Sequence, residues 1–503
     1  MHVLAAASSF TAPYFDYHAL APEIVLTGVL VLVLVLDLFV DETRKYLVTQ
    51  IAGLGVLASM IPIATLAYSG ITNEPRVMFG GAYVVDTFSL VLKALFIGTA
   101  YVILLMSTNY IEEGDYYEGE FSFLILSSLL GMVVMASARD LITIFVALEL
   151  LSIPAYLLAG WRKRDLKSNE ASLKYYLLGV LSSAVMLYGM SLIFGVTNST
   201  LLVDIGKFMD TPAANTNLIT VAIFMVVVGF AFKVSAVPFH FWAPDAYEGA
   251  PTPVTAYLSV ASKTAGFVAM LELIYVGFFG RSDVWGLLFW ILAAATMTIG
   301  NLVALRQTNM VRLLAYSSIA QAGYILVPFA VAGDNPAASR DALTASIIYL
   351  LIYSAMNLGA FAVVIVVARR TRSAEISSYS GLFQYAPGLA VVMAAFLFSL
   401  AGIPPFGGWF AKFYIFRSVL DSGTPSSVVL GVIVGVNSVI ALFYYANIAR
   451  LMFMNPPPEG MPTNRIRIPG SLSAALAICT IVVVAIGVYP QAFAHLGDLS
   501  RLR

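Results

Sequence analysis

The chain has 503 residues, of which 60% are hydrophobic and only 11% charged, with 27 Lys and Arg against 28 Asp and Glu for a net charge of −1. A soluble domain carries about 25% charged residues, so this chain, with a mean hydropathy of +0.88, cannot cover a water-facing surface and has a lipid bilayer as its solvent. The balanced charge excludes a nucleic-acid footprint, and one cysteine, Cys479, excludes a disulfide framework, a four-cysteine zinc site and a cysteine-held iron–sulfur cluster. The four histidines, His2, His18, His240 and His495, are too scattered to hold a haem as a pair. There is no glycine-rich nucleotide fingerprint and no phosphate-binding loop motif. No Lys or Arg precedes Arg44, so the N-terminus lacks the basic region of a cleaved signal peptide.

Fourteen apolar stretches approach the roughly 20 residues that a helix needs to cross the hydrocarbon core. In chain order they lie near 22–40, 47–68, 84–108, 119–138, 140–160, 171–195, 218–238, 253–279, 284–304, 310–331, 341–368, 387–416, 426–453 and 471–489. The long runs at 341–368, 387–416 and 426–453 read as tilted or broken helices rather than extra crossings. Loop charge sets the orientation. With the N-terminus outside, the inner loops hold fourteen cations, concentrated around Arg162–Lys167 and Arg369–Arg372, and the outer loops hold eight. Both termini are therefore expected on the outer side.

Five of the 27 cations remain, and all lie inside spans: Lys93, Lys174, Lys233, Lys263 and Lys412. None is arginine. A desolvated lysine can give up its proton, whereas arginine stays charged. A charge at mid-bilayer costs roughly 2.5–3.5 kcal/mol on insertion scales, so five in one chain need a shared reason, such as pairing or a water-filled path.

Taken in order, Lys93 in DTFSLVLKALFIG lies beside neither a break nor a polar cluster, and its role stays open. Glu149, in IFVALELLSIPAYLLAG, sits about nine residues into the fifth span, near half depth at ~1.5 Å per residue. It is either a proton carrier or a hydrogen-bonder between helices, a task that neutral residues do more cheaply. Lys174, in EASLKYYLLGVLSSA, is only a few residues into the sixth span. It either snorkels to the interface or assists the path. Lys233 lies five residues before Pro238, which should break or kink the seventh span and free carbonyls for hydration. His240 follows that break as a relay near neutral pH or as a hydrogen-bonded structural residue. Asp245 and Glu248 read as loop or cap residues. Lys263, in LSVASKTAGFVAM, is flanked by Ser262 and Thr264, with Ser259 one turn earlier, as in a wetted interior. Glu272, nearer a helix end, reads as structural. Lys412, in SLAGIPPFGGWFAKFYIF, lies two turns beyond Pro405.

The two proline-broken helices, the seventh and the twelfth, are five spans apart, and each has a lysine near its break. Broken helices at matching positions are the mark of inverted-repeat transporters. The expected division is three flanking helices in 1–118, a first five-helix repeat in 119–281, a second in 284–453, and a last helix in 454–503. An odd number of spans per repeat turns the two copies to opposite sides. The match is imperfect, because Lys233 precedes its prolines and Lys412 follows them.

FKVSAVPFHFWAPDAYEGAPTPVTAYLSVASKTAGF, with LAYSSIAQAGYIL, ALELLSIPAYLLAG and SLAGIPPFGGWFAKFYIF, resembles the signatures of the antiporter-like subunits of respiratory complex I and of cation/proton antiporters. The resemblance covers nearly the whole chain. Within the family the chain is most similar to the N type, called subunit 2 in chloroplasts and mitochondria. Two features carry that likeness: a lysine, Lys412, where the M and L relatives have a carboxylate, and no long lateral helix after the fourteenth span.

The resemblance implies an all-α membrane protein of about fourteen transmembrane helices, two inverted five-helix repeats and broken helices. It implies a proton path through Glu149, Lys233, Lys263 and Lys412, in which Glu149 pairs electrostatically with Lys233, with Lys174 and His240 as auxiliaries, and a subunit of a proton-translocating NADH:quinone oxidoreductase. It places NADH, FMN, iron–sulfur clusters and quinone in partner subunits, with no cofactor or metal in this chain. The expected partners are other membrane subunits, especially antiporter-like ones and the small K-type subunit, and lipids, with no nucleic acid. The expected location is a bacterial plasma membrane rather than an organelle inner membrane. The alternative is a subunit of a cation/proton antiporter using the same lysines.

Overall fold

In the computed structural model, which describes residues 15–41, 44–71, 74–114, 118–458, 466–491, 494 and 502, the apolar stretches are helices. His2, His495, Arg465, Arg501 and Arg503 lie outside the described residues. Eleven helices are long and apolar enough to cross a membrane, and three shorter ones, Glu118–Met135, Asn217–Lys233 and Pro387–Ala401, bring the described spans to fourteen. Polar side chains start them: Asp86, Asp140, Asp165, Thr216, Asn309 and Asn335 each accept hydrogen bonds from first-turn N–H groups. Pro336, Pro387 and Pro425 occupy first-turn positions, where a missing N–H costs nothing.

Burial separates the centre from the lipid-facing rim. The eighth span (Thr252–Gly277), tenth (Met310–Val331) and eleventh (Pro336–Thr371) are 94%, 89% and 94% buried, against 22% for the first (Ala21–Phe39) and 33% for the last (Gly470–Val488). The three central helices carry Lys263, Glu272, Ser317, Ser318, Gln321 and Asn357, which only protein or water can satisfy at that depth.

Of the three long runs, only the twelfth is broken, into Pro387–Ala401 and Gly407–Ser422. The eleventh continues for 36 residues and the thirteenth, Pro425–Met454, for 30. At ~1.5 Å per residue the eleventh is about 54 Å long and exceeds the hydrocarbon core. The seventh span ends at Lys233, and a short helix, Trp242–Gly249, follows the break. Asp245 and Glu248 therefore sit on a helix rather than in a loop. Pro244 falls in the first turn of that helix, where proline is tolerated. The sixth span, Leu166–Thr197, begins earlier than its apolar run, so Lys174 is on its exposed end.

One clasp occurs twice. Leu141 N–H donates to Thr200 O and Leu202 N–H to Arg139 O, both at 2.9 Å; Met310 N–H donates to Ala374 O and Ile376 N–H to Thr308 O, both at 2.8 Å. The preceding helix ends in each case on a left-handed residue, Asn198 or Arg372, both at φ 52°. The loops that follow the third, fifth, seventh, ninth, eleventh and thirteenth spans together line one cleft of about 540 Å³, which contains Gly114, Arg162, Glu248, Asn309, Arg372 and Pro469. These six loops, each after an odd-numbered span, thus share one face of the molecule.

Candidate proton pathway

Lys233 is the last residue of its half-helix and is 3% exposed. A cation suits that end, where carbonyls lack partners. Its Nζ donates to Ser152 Oγ at 2.8 Å, and its stem lies 3.1 Å from the Cβ that a side chain at Gly266 would have. The break itself is satisfied by protein: Val237 N–H donates to Thr296 Oγ1 at 2.9 Å and Trp242 Nε1 to Phe232 O at 3.0 Å. Trp242 stacks on Tyr175 at 4.3 Å. The expected direct pairing of Lys233 with Glu149 is not what the structure contains. Glu149 sits three residues before Ser152 on the fifth span, with Oε1 buried and without a hydrogen-bond partner. The hydroxyl is the nearer acceptor and takes the ammonium. Spans four and five touch closely at this level, since a Cβ on Gly131 would lie 2.6 Å from Leu151 N and 2.8 Å from Ala147 O.

Lys263 follows a π-helical turn, Leu258–Ser262, a distortion that leaves backbone groups free at functional positions. Its Nζ donates to Ser318 Oγ of the tenth span at 2.6 Å. Tyr353 OH donates to the same oxygen at 2.9 Å, and Asn357 Nδ2 reaches Ser259 Oγ at 2.9 Å and Tyr353 OH at 3.1 Å. Ser259 is therefore in the network, while Ser262 Oγ and Thr264 Oγ1 are buried without protein partners. Tyr175 lies 6.0 Å from Lys233 Nζ and Tyr247 5.6 Å from Lys263 Nζ, with Trp242 between the two rings.

Lys412 resolves the mismatch between the two broken helices. It belongs to the second half of the twelfth span but reaches back over the break, donating to Ala401 O at 2.7 Å and to Ser438 Oγ at 3.3 Å. Ala401 ends the first half-helix, so both lysines finish at a first-half C-terminus. Gly402 makes this possible: its φ is +90°, and a Cβ there would stand 2.6 Å from Lys412 Cδ.

The sequence reading passed over the residues between Lys263 and Lys412. Tyr324 lies under Lys412, with Nζ 4.5 Å from the ring centre. Tyr324 OH accepts from Asn301 Nδ2, which also reaches Asn437, and Tyr444 OH donates to Asn301 Oδ1. Ser317 bonds Tyr445 at 2.5 Å, and Gln321 accepts from Tyr349 and donates to Leu400 O. Ser317, Ser318, Gln321 and Tyr324 all come from LAYSSIAQAGYIL. Their recurrence every three or four residues was the available signal for one polar face. From Ser318 to Tyr324 that face spans about 9 Å.

The auxiliaries stand apart. Lys174 is half-exposed and pairs with Glu170 Oε1 at 2.6 Å and Asp245 Oδ2 at 3.0 Å. Asp245 and Glu248 in turn bind Arg312. This is a rim network, not a buried site. His240 is buried in the break with Nδ1 unpartnered and touches neither lysine by a hydrogen bond. Two residues read as isolated or structural are in buried ion pairs: Lys93 with Glu23 at 2.7 Å, and Glu272 with Arg139 at 2.5 Å.

These features define a multi-pass α-helical membrane protein with buried ammonium groups at the breaks of the seventh and twelfth spans and at a π-helical turn of the eighth. Residues 138–439 match the family described as NADH:quinone oxidoreductase/Mrp antiporter, transmembrane, and the chain belongs to that family. It is 38% identical over 491 residues to NAD(P)H-quinone oxidoreductase subunit 2 of Gloeothece citriformis, covering 96% of this chain and 93% of the relative. It is 40% identical over 448 residues to NADH-quinone oxidoreductase subunit N of Desulforamulus reducens, covering 88% and 91%. Respiratory complex I of Thermus thermophilus, solved with bound aureothin, contains a chain of similar fold, with TM-score 0.76, 29% identity and coverage of 95% and 100%.

Proposed function

We propose that this chain is a proton-translocating membrane subunit of a redox-driven NADH:quinone oxidoreductase and that protons pass along Glu149, Lys233, Lys263 and Lys412. The observation that carries the reading is the partner chemistry of three buried lysines. Each rests on neutral oxygens, Ser152, Ser318, or Ala401 with Ser438, and none is locked to a carboxylate. A buried ammonium on neutral partners discharges more readily than one in an ion pair. Lys233 exchanges between Ser152 and Glu149, gaining proton affinity near the carboxylate and losing it on return. Water joins the unpartnered Glu149, Tyr175, Ser262, Thr264 and Tyr247 groups that surround Lys233 and Lys263. The serines and tyrosines of the tenth span continue the path to Lys412. Lys174 and His240 assist at the rim and the break.

The recurring clasp supports two five-helix repeats over 119–281 and 284–453, since its copies lie five spans apart and so on opposite faces. The face with the shared cleft carries Arg162, Arg369 and Arg372, which supports an inner side there and both termini outside, in a bacterial plasma membrane. NADH, FMN, iron–sulfur and quinone chemistry belong to partner subunits, and other antiporter-like subunits and a small K-type subunit pack against this one. Exchange of metal cations is the weaker reading, because a path lined by ammonium groups repels them. Assembled complexes carrying Lys233→Ala or Glu149→Ala, reconstituted in vesicles, test the proposal. Quinone reduction with reduced proton pumping is expected; unchanged pumping would overturn it.

A further inference from the structure

A second set of buried charges lies away from the lysine path, near the face opposite the cleft. It is built from five segments. Glu23 of the first span pairs with Lys93 of the third at 2.7 Å, and Tyr83 OH donates to the same Glu23 oxygen at 2.7 Å. Arg139, from the loop between the fourth and fifth spans, pairs with Asp86 Oδ2 at 2.9 Å and with Glu272 Oε1 of the eighth span at 2.5 Å. The two groups are stitched together, because the strand Tyr83–Val85 runs beside residues 137–139: Val84 N–H donates to Ser137 O and Arg139 N–H to Ala82 O, both at 2.9 Å. None of the five charged residues is more than 8% exposed, and Lys93 and Glu272 are at 0%.

The charges do not balance. Three carboxylates, Glu23, Asp86 and Glu272, face two cations, Lys93 and Arg139. Neighbouring ionisable groups do not fill the deficit. Asp140 is spent on the N–H groups of Ile142 and Thr143, and Tyr275 OH is committed to Ser339 O. Moreover, Glu23 Oε2, Glu272 Oε2 and Ser137 Oγ are buried with no hydrogen-bond partner. Each free carboxylate oxygen shares a carbon with an oxygen already bound inside the cluster, so it lies in the cluster too. A buried uncompensated charge is expensive. No three acidic or histidine side chains converge as a metal ion requires, among the described residues. One bound proton removes the excess charge and supplies a donor to an orphan oxygen.

We infer that this cluster is a second protonation site, holding one exchangeable proton on the face opposite the arginine-rich cleft. The site is distinct from the lysine path: Glu272 is nine residues beyond Lys263, about 13.5 Å along the helix, and the segment AGFVAML between them is apolar. Glu272 also abuts a π-helical turn, Leu273–Gly277, as Lys263 abuts Leu258–Ser262, so the eighth span has an ionisable residue at each of its two distortions. The site extends the proton-translocation reading by giving the opposite face a proton acceptor of its own.

The test is infrared spectroscopy of the assembled complex at neutral pH, reading the C=O stretch of protonated carboxylic acid that shifts in heavy water. Glu272→Gln and Glu23→Gln each neutralise the cluster, so each should remove one proton equivalent of that band, whichever carboxyl carries the proton. Lys93→Met deepens the deficit and should add one equivalent. Both glutamine variants keep the hydrogen bonds to Arg139 or Tyr83, so the protein has reason to fold, and the gain in Lys93→Met has the opposite sign to any loss of material. A band that survives either glutamine substitution, or that fails to grow in Lys93→Met, overturns the site. The readout needs no pumping. Full pumping by Lys233→Ala would therefore sink the pathway while leaving this result intact, and an unchanged band would do the converse.

Discussion

The two buried sets of cations are solved by opposite chemistry. Lys233, Lys263 and Lys412 rest on hydroxyls and a carbonyl at helix irregularities, and their hydrogen-bond partners are all neutral. Lys93 is paired with the Glu23 carboxylate, and Arg139 is clamped between the Asp86 and Glu272 carboxylates. A clamped ion pair fixes geometry, and removing one partner strands the other. A lone ammonium on neutral partners is costlier to keep charged and is therefore free to discharge. We accordingly place the labile proton on nitrogen in the lysine path and on the surplus carboxylate in the clamped cluster.

The sharpest way to break that contrast is Arg139→Ala. It leaves Asp86 and Glu272 buried without their shared cation, and removal of one member of a buried pair costs about 3–5 kcal/mol. The expected result is a chain that accumulates poorly in membranes and a complex that melts earlier. Lys263→Ala should behave in the reverse manner, with the chain retained in the complex and pumping lost. Lys263→Arg separates charge from protonation. Arginine keeps the charge but does not release its proton, so it should assemble normally without restoring pumping. Pumping by Lys263→Arg at the unsubstituted level would show that the residue is a fixed charge.

A smaller effect is expected from Ser318→Ala. It removes the acceptor of both Lys263 and Tyr353, two hydrogen bonds from one atom. A buried donor left unsatisfied costs about 1–3 kcal/mol, so the melting temperature should fall modestly. Pumping should slow without ending, since Lys263 itself remains. Vesicle measurements that show Ser318→Ala pumping at full rate would remove the tenth span from the path.

Much of this was legible in the residues. Composition forced the membrane, and the cations left over inside spans included Lys233, Lys263 and Lys412, which the structure buries. Pro238 and the Pro404–Pro405 pair located both breaks. Lys412 was legible as a residue but not as an equivalent of Lys233, because a side chain that folds back over a positive-φ glycine leaves no mark in spacing. Glu149 was placed on the correct helix, but Ser152, three residues on, took its assigned partner. The tenth-span face was quoted only as part of a motif, although its period of three to four was visible. The clamped cluster was hidden for a different reason: Glu23, Asp86, Lys93, Arg139 and Glu272 are spread over 250 positions of sequence, and no local pattern announces that they meet. Reading Glu272 as a helix-end residue was correct for position along the chain and uninformative about burial.

The weakest expected effect belongs to the rim. Lys174 is half-exposed, between Glu170 and Asp245, and Asp245 is shared with Arg312 of the tenth span. Exposed pairs of this kind are screened over about 8 Å at physiological salt and contribute little to folding. Lys174→Ala should therefore leave assembly unchanged. It frees Asp245 to pair with Arg312 alone, altering the field at the cleft-side mouth but not the buried lysines. Pumping should fall slightly at low ionic strength and match the unsubstituted complex at high ionic strength, whereas the loss in Lys263→Ala should be the same at both, because buried groups are screened far less by salt. A Lys174→Ala defect that persists undiminished in high salt would move this residue from the screened rim into the buried path, and the division between exposed and buried cations would have to be redrawn.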